Sequence, residues 1–357
     1  KFRDVFIYGF IPMLEQYKEK FGFVPKNIQK TVLYDMNWYI QYLINKPEKI
    51  NFLSDEEKII FYKLFLNVFE YIEKETIMSF FMANTWYFHK VGMLGAFKSE
   101  EMPFQMAYIE DIDRDKKQIL VSSFIYSDSY VSYEINGKEV VPKHHKVVDH
   151  TFNDNIFVHE VRDWISYKED NDNLNILTNG KHSRISLKNN SSTKIVTVRT
   201  ILSAFKPSEK YITDGSWLLM DRETKADDNA EHLYRYLKIN HPEQKCYFSL
   251  NRDCVDWPRL EAEGFELVEF GTEDFEYRLR KANKIITSHL EKHINDYFGD
   301  KYEYSKKFIF LQHGITQNNI STWLNSKRNI QCVISSTIPE YNYFVEDNGL
   351  YKLTEKE

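Results

Sequence analysis

The chain has 357 residues, 42% of them hydrophobic and 16% aromatic, with a formal net charge of -6. That length predicts two or three domains with real cores, and the acidic balance excludes a general nucleic-acid-binding surface. Cys246, Cys254 and Cys332 are too few for a disulfide framework and lack zinc spacing, so a reducing cytoplasm is expected.

Residues 1–105 read as helical. Proline near a first turn opens a helix over Pro25–Ile44, with Ile28, Val32, Met36, Tyr39 and Leu43 on one face. The Tyr34, Trp38, Tyr39 and Tyr42 cluster suits a sugar-stacking surface, but helical spacing favours plain core. A longer helix is expected from Asp55 to Phe81, capped by Ser54 with Glu57 reaching back.

From Met106 to Ala204 the period changes to two. Ile119–Tyr126, Tyr130–Ile135, Ile156–Val161 and Lys194–Val198 are strand-like. Asn136-Gly137 and Asn179-Gly180 signal tight hairpins, and the whole stretch predicts a small β-sandwich. His144, His145, His150 and His159 match no standard metal spacing and read as surface hairpin residues. Asp111–Asp115 begins like a calcium loop but lacks its glycine and closing glutamate.

From Trp217 onward, short apolar runs alternate with helical patterns. The expected strands are Trp217–Met220, Cys246–Leu250, Phe265–Val268, Lys284–Ser288, Phe308–Leu311 and Gln331–Ser335. Helices are expected from Asp228-Asn229 through Lys238, over Val255–Glu263 up to Gly264, and over Glu273–Ala282. This alternation predicts a parallel sheet of βαβ units. No glycine-rich dinucleotide fingerprint or P-loop occurs.

The stretch Lys307–Thr316 carries the main chemical signal: an apolar run that stops at His313 and Gly314. Strand ends on the carboxyl edge of open α/β sheets are where ligands bind, and histidine exchanges protons near neutral pH. The local pattern alone favours a strand-end histidine that only bonds a loop.

Trp217–Met220, Asp228-Asn229, His241-Pro242, Ala282–His289 and Phe310–Thr316 occur in an order that resembles the CDP-glycerol glycerophosphotransferase family, the teichoic acid and capsule polymerases. The chain departs from the family's Gln-x-x-His-Gly-Thr pattern: Gln312 directly precedes His313, and Ile315 separates Gly314 from Thr316. Residues 1–205 are more weakly similar to the helical and β-sandwich spacers of multidomain synthases. The resemblance implies a helical spacer at 1–105 and a β-sandwich at 106–205. Residues 206–357 would then be a Rossmann-like, parallel-sheet acceptor half of a GT-B fold. The second half, which binds the CDP-activated donor, would lie beyond Glu357. The missing initiator methionine and charged end also suggest a piece of a longer protein.

Under this resemblance a hydroxyl of a growing polyol-phosphate polymer attacks the β-phosphorus of CDP-glycerol or a related CDP-polyol, and CMP leaves. His313 matches the family's catalytic histidine and acts as general base. Gln312, Gly314 and Thr316 would hold the acceptor or a phosphate oxygen, helped by exposed amides if a helix begins near Thr316. Asp228 and Asn229 would bind acceptor or simply cap a helix. Ser288 and His289 would line the cleft, and Arg222 would meet a phosphate or be solvated. His289 and His293 stand four apart, but Leu290 occupies the place of the metalloprotease glutamate, so no metal and no cofactor is expected. The acceptor is anionic and, in the family, often lipid-linked, which implies a cytoplasmic protein peripheral to the inner membrane face. No run approaches a spanning helix and the start carries no signal-peptide pattern. The competing reading is a non-catalytic, glycan-binding spacer module of a larger synthase. A hydrolase built on scattered histidines lacks any nucleophile elbow.

Overall fold

The computed structural model describes residues 2–188, 192–205, 213–299, 308–327 and 329–357. The expected boundary at 206 and the start of the signal stretch, Lys307, lie outside them. The chain forms two compact units, Lys1–Phe205 with Asp347–Leu350, and Lys206–Glu346 with Tyr351–Glu357.

The first unit opens with helices α1 (Ile11–Phe21), α2 (Lys26–Leu43), α3 (Asp55–Glu70), α4 (Lys74–Met78) and α5 (Tyr87–Lys98). Ser54 and Glu57 form the expected capping box on α3. The single helix expected to Phe81 is broken after Glu70. The buried Gln29 explains the break: its Oε1 accepts from the Glu73 amide and the Thr76 hydroxyl at 2.8 Å each, bonds a continuous helix would not offer. The ring cluster on α2 also departs from expectation. Tyr34, Trp38 and Tyr42 are 38%, 50% and 50% exposed, and the buried face is instead Val32, Leu33, Met36, Ile40 and Leu43. A step of four advances about 40° around a helix, so rings at that spacing share whichever face they are on, without fixing which face is inward.

Strands β1 (Met106–Asp113), β2 (Gln118–Ile125), β3 (Val131–Ile135), β4 (Lys138–Val140), β5 (His144–Phe152), β6 (Asn155–Ser166), β7 (Asn173–Thr178), β8 (Lys181–His182), β9 (Arg184–Ser186), β10 (Ser192–Thr193) and β11 (Ile195–Thr197) follow, then α6 (Val198–Ala204). They build two sheets, ordered β10-β9-β1-β2-β6-β5 and β11-β7-β3-β4 with β8 beside β7. Ile109, Ile119, Val121, Ile165, Leu174 and Ile176 form one core contributed by both sheets, as a sandwich requires. Both asparagine-glycine turns have positive φ at both residues, which matches the right-handed strand twist. The strand expected to reach Val198 stops at Thr197, whose hydroxyl caps α6 instead.

The helices and strands of this unit share a second core. Phe61, Phe65, Phe69 and Phe97 pack with Phe152 and Phe157 of β5 and β6. Helix α5 comes close enough that a Cβ at Gly92 would overlap the Phe157 ring. The histidines expected on hairpin surfaces lie within strands β5 and β6. There His145, His150 and His159 meet Asp163, Glu160 and Asp149 at 2.6, 2.9 and 2.7 Å.

The second unit is an alternating fold: β12 (Trp217–Met220), α7 (Asn229–Asn240), β13 (Cys246–Leu250), α8 (Trp257–Ala262), β14 (Leu267–Glu269), α9 (Glu273–Lys281), β15 (Lys284–Thr287), α10 (Lys292–Asn295), β16 (Phe308–Leu311), α11 (Ser321–Asn325), β17 (Ile330–Ile334) and α12 (Ile338–Val345). Its strands are all parallel and run β14-β13-β12-β15-β16-β17. In sequence rank this is the doubly wound order 3-2-1-4-5-6, with its reversal between β12 and β15. Each face has its own core. Leu219, Phe248 and Ile286 face α7 and α8, while Leu218, Ile285 and Phe310 face α9, α11 and α12. Among the described residues no helix is long and apolar enough to cross a membrane.

Candidate functional site

The parallel register brings the carboxyl ends of β12, β15 and β16 together. Asp221, Ser288 and Gln312 each follow directly on one of these strands, at the edge where the strand order reverses. Ligands bind at such a point because neighbouring connections leave the sheet in opposite directions and open a crevice.

Asp221 organises this edge. It is 1% exposed, and its carboxylate accepts from the amides of Asp228, Ala230 and Glu231 at 3.0, 3.0 and 3.3 Å and from the Ser288 hydroxyl at 2.7 Å. Burial pushes its carboxyl above the ordinary range, against the hydrogen bonds from Ser288, Ala230 and Asp228, with the Asp228 charge adding to the rise. The N-terminal amides of α7 are thereby satisfied from within the protein. Asp228 caps the same helix, accepting from the Asn229 amide at 2.8 Å.

Two histidines meet above this frame. His289 is buried, and its Nε2 donates to Asp228 Oδ2 at 3.2 Å. Burial lowers its proton affinity; Glu291 opposes this, His313 and Arg222 reinforce it, and Asp228 opposes it. His313 lies with its ring centroid 4.6 Å from that of His289. Its Nδ1 is 2.9 Å from the Ser288 carbonyl oxygen. A carbonyl only accepts, so Nδ1 carries the hydrogen and Nε2 keeps its lone pair, on an exposed ring. Asp228, His289 and His313 thus have ligating atoms all within 4.8 Å of one another.

The other expected residues divide into near and spent. The Asn229 side-chain amide donates to the Gln312 carbonyl at 3.1 Å and ties α7 to the end of β16. Arg222 is exposed just beyond β12 and close enough for its charge to act on His289. Gly314 turns with φ of 81°, a conformation glycine adopts without a Cβ penalty. Thr316 is occupied internally. Its amide and hydroxyl donate to Glu340 at 2.9 and 2.6 Å, and Gln312 Nε2 donates to the Thr316 hydroxyl at 2.7 Å. No helix begins there; α11 starts at Ser321, so the expected run of open amides after Gly314 is not formed. Burial would raise the Glu340 carboxyl, but bonds from Thr316 and from the Ser336 and Thr316 amides hold it below the ordinary value. His293 turns away to Glu223 at 2.9 Å and does not pair with His289.

Asp221 and Glu340 were not singled out from the sequence. For Asp221 a signal existed: an acid placed directly after the buried run Leu218-Leu219-Met220, at a strand's carboxyl end. Glu340 sits inside a helix pattern and carries no such mark.

No family model matches the chain, and no solved structure matches it. The chain is similar to minor teichoic acid biosynthesis protein GgaB from Bacillus subtilis (strain 168), with 35% identity over 144 residues. That stretch is 38% of this chain and 16% of the Bacillus protein, so the similarity spans about a sixth of that relative's length.

Proposed function

We propose that the second unit is the acceptor-handling part of a transferase that builds a teichoic-acid-type polymer. Its donor is CDP-glycerol or a related CDP-polyol, held by a partnering half of a GT-B fold. The acceptor is an anionic polyol-phosphate chain, lipid-linked at the inner membrane face. The observation that carries this reading is the fixed tautomer of His313. With Nδ1–H bound to the Ser288 carbonyl, Nε2 can take the proton of an acceptor hydroxyl. The hydroxyl oxygen then bonds the β-phosphorus of the donor. The bond from that phosphorus to the bridging oxygen breaks, and CMP leaves with the electron pair. His289, whose proton affinity burial lowers, and Asp228 shape the site beside the base. Arg222 supplies positive charge for the transferred phosphoryl group. The partial similarity to a teichoic acid biosynthesis protein supports the polymer class.

The test is His313→Ala in the full-length protein, with CMP release measured from CDP-glycerol and a polymer acceptor. A loss of ~10²–10⁴-fold is expected from removing a general base. Turnover near the parent's would reject the assignment.

A second reading, a glycan-binding spacer, is favoured by one feature of the first unit. Tyr34, Trp38 and Tyr42 present exposed rings along one helix face. If these rings bind polymer, substituting all three with Ala weakens retention on a teichoic-acid column while CMP release from a short soluble acceptor is unchanged.

A further inference from the structure

We propose that Asp228, His289 and His313 form a zinc site that switches off the base at His313. The inference rests on the reading of His313 given above only for its consequence; the binding itself stands on geometry. Three elements far apart in sequence, the cap of α7 and the ends of β15 and β16, deliver one carboxylate and two imidazoles whose ligating atoms lie within 4.8 Å. Three protein ligands with an open fourth position, here on the exposed His313 side, is the pattern of an accessible zinc centre. The Asp228 Oδ2 to His289 Nε2 separation is 3.2 Å. Two ligands at tetrahedral angles on zinc, each ~2.0–2.1 Å from it, stand ~3.3 Å apart, so this pair needs little movement. His313 is exposed, and its ligating atom lies within 4.8 Å of the other two.

The surroundings supply what metal-bound histidines require on their far nitrogens. His313 Nδ1–H already bonds the Ser288 carbonyl, which leaves Nε2 as the nitrogen whose lone pair a metal can take. His289 Nδ1 faces Glu291 Oε1 at 3.7 Å, and Glu291 Oε2 is buried with no hydrogen-bond partner among the described residues. When zinc takes Nε2 of His289, the imidazole proton moves to Nδ1 and gives that under-satisfied carboxylate a donor. Asp221 fixes the backbone of the ligand Asp228 and the hydroxyl of Ser288, whose carbonyl holds His313. Arg222 is the opposing charge, and Asp228 and Glu291 offset it. Imidazole nitrogen with carboxylate selects zinc over magnesium, which prefers an all-oxygen octahedron.

The consequence follows from one lone pair. His313 Nε2 cannot both hold zinc and accept a proton, so zinc occupancy stops hydroxyl activation.

The chain is titrated with cobalt(II), a visible-absorbing substitute for zinc, and then with zinc to displace it. One equivalent giving an intense tetrahedral-type band, bleached by zinc, is expected. In His289→Ala and in His313→Ala the affinity should drop at least ~10-fold, since even loss of an outer-shell partner costs about that. Asp228→Asn, which keeps a helix-capping oxygen, serves as a third probe should an alanine variant fold poorly. His293→Ala should bind as the parent does. Absence of a band at one equivalent, or a band that survives all three ligand substitutions, overturns the site. Zinc inhibition of turnover, reversed by a chelator, is read separately in the full-length protein. Metal binding without any effect on a measurable turnover keeps the site and removes the switch, whereas loss of turnover in metal-free His313→Ala bears only on the base.

Discussion

The two units use histidine in opposite ways. In the first unit His145, His150 and His159 lie within a β-ladder, where each meets a carboxylate from the neighbouring strand. Asp163 is further held by the Tyr133 hydroxyl at 2.6 Å, and His150 by Asn45 at 2.9 Å. In the second unit His289 and His313 stand just past strand ends, and among the described residues only one imidazole nitrogen of His313 is hydrogen-bonded. A ladder position places a side chain opposite a fixed neighbour, so polar pairs there tend to be satisfied. A strand end faces a crevice, where an unsatisfied lone pair is available for chemistry.

The largest test of this contrast is paired. His313→Ala should cost the ~10²–10⁴-fold in turnover while leaving stability near the parent's, as an exposed ring contributes little packing. His145→Ala should cost about 1 kcal/mol of stability, for one lost hydrogen bond, with turnover unchanged. Urea midpoints and CMP-release assays on both variants decide it; a reversed pattern breaks the comparison. Next comes the frame beneath the histidines. Asp221→Ala leaves the Ser288 hydroxyl and the Asp228 and Glu231 amides without this acceptor, while the Ala230 amide keeps Ser288 Oγ at 3.0 Å. A loss of about 3 kcal/mol is expected from several unsatisfied buried donors, together with reduced turnover, and chemical denaturation measures the first. Equal stability would mean that this edge rearranges freely.

Gly92→Ala sharpens the same point for the first unit, where packing makes the demand. The new Cβ meets the Phe157 ring, itself buried in the aromatic core, and about 2 kcal/mol should be lost on thermal or urea unfolding. Ser54→Ala removes one half of the capping box on α3 and should cost about 1 kcal/mol.

The smallest effect is a difference in sign. The hydrogen bond to Asp163 raises the proton affinity of His145 above its ordinary 6.5; burial opposes this, and the charges of Asp163 and Asp347 add to it. Its contribution to stability is therefore full below pH 6.5 and is lost as pH rises through the folded value. Burial lowers His289 from the same 6.5, so its contribution is present above that pH and is lost as pH falls through the folded value. Ring-proton NMR titration should place the His145 midpoint above that of His289. The opposite order would show that burial, not partner choice, governs the first unit as well.

The pattern of elements in the second unit was legible along the chain. Apolar runs such as Leu218-Leu219-Met220 and Phe308–Leu311 are each long enough for one buried strand, and the turn and cap residues between them mark the helices. The α3 cap and both asparagine-glycine hairpins were legible for the same reason: a side chain or a positive φ acts within a few residues. Helix breaks were less so. Past the break after Glu70, Gln29 bonds the Glu73 amide 44 residues away, and nothing local to Glu73 records it.

The sequence by itself determined where His313 falls, at the end of a strand and before a glycine, because those signals are local. Only the tertiary structure decided what stands around it. Asp228 and His289 are separated by 61 positions, and Asp221 and Ser288 by 67, yet each pair is joined by a hydrogen bond. The order in which parallel strands pair is what brings such residues to one edge. That order is set by how the helices cover both faces of the sheet, a property of the whole unit that no short stretch carries.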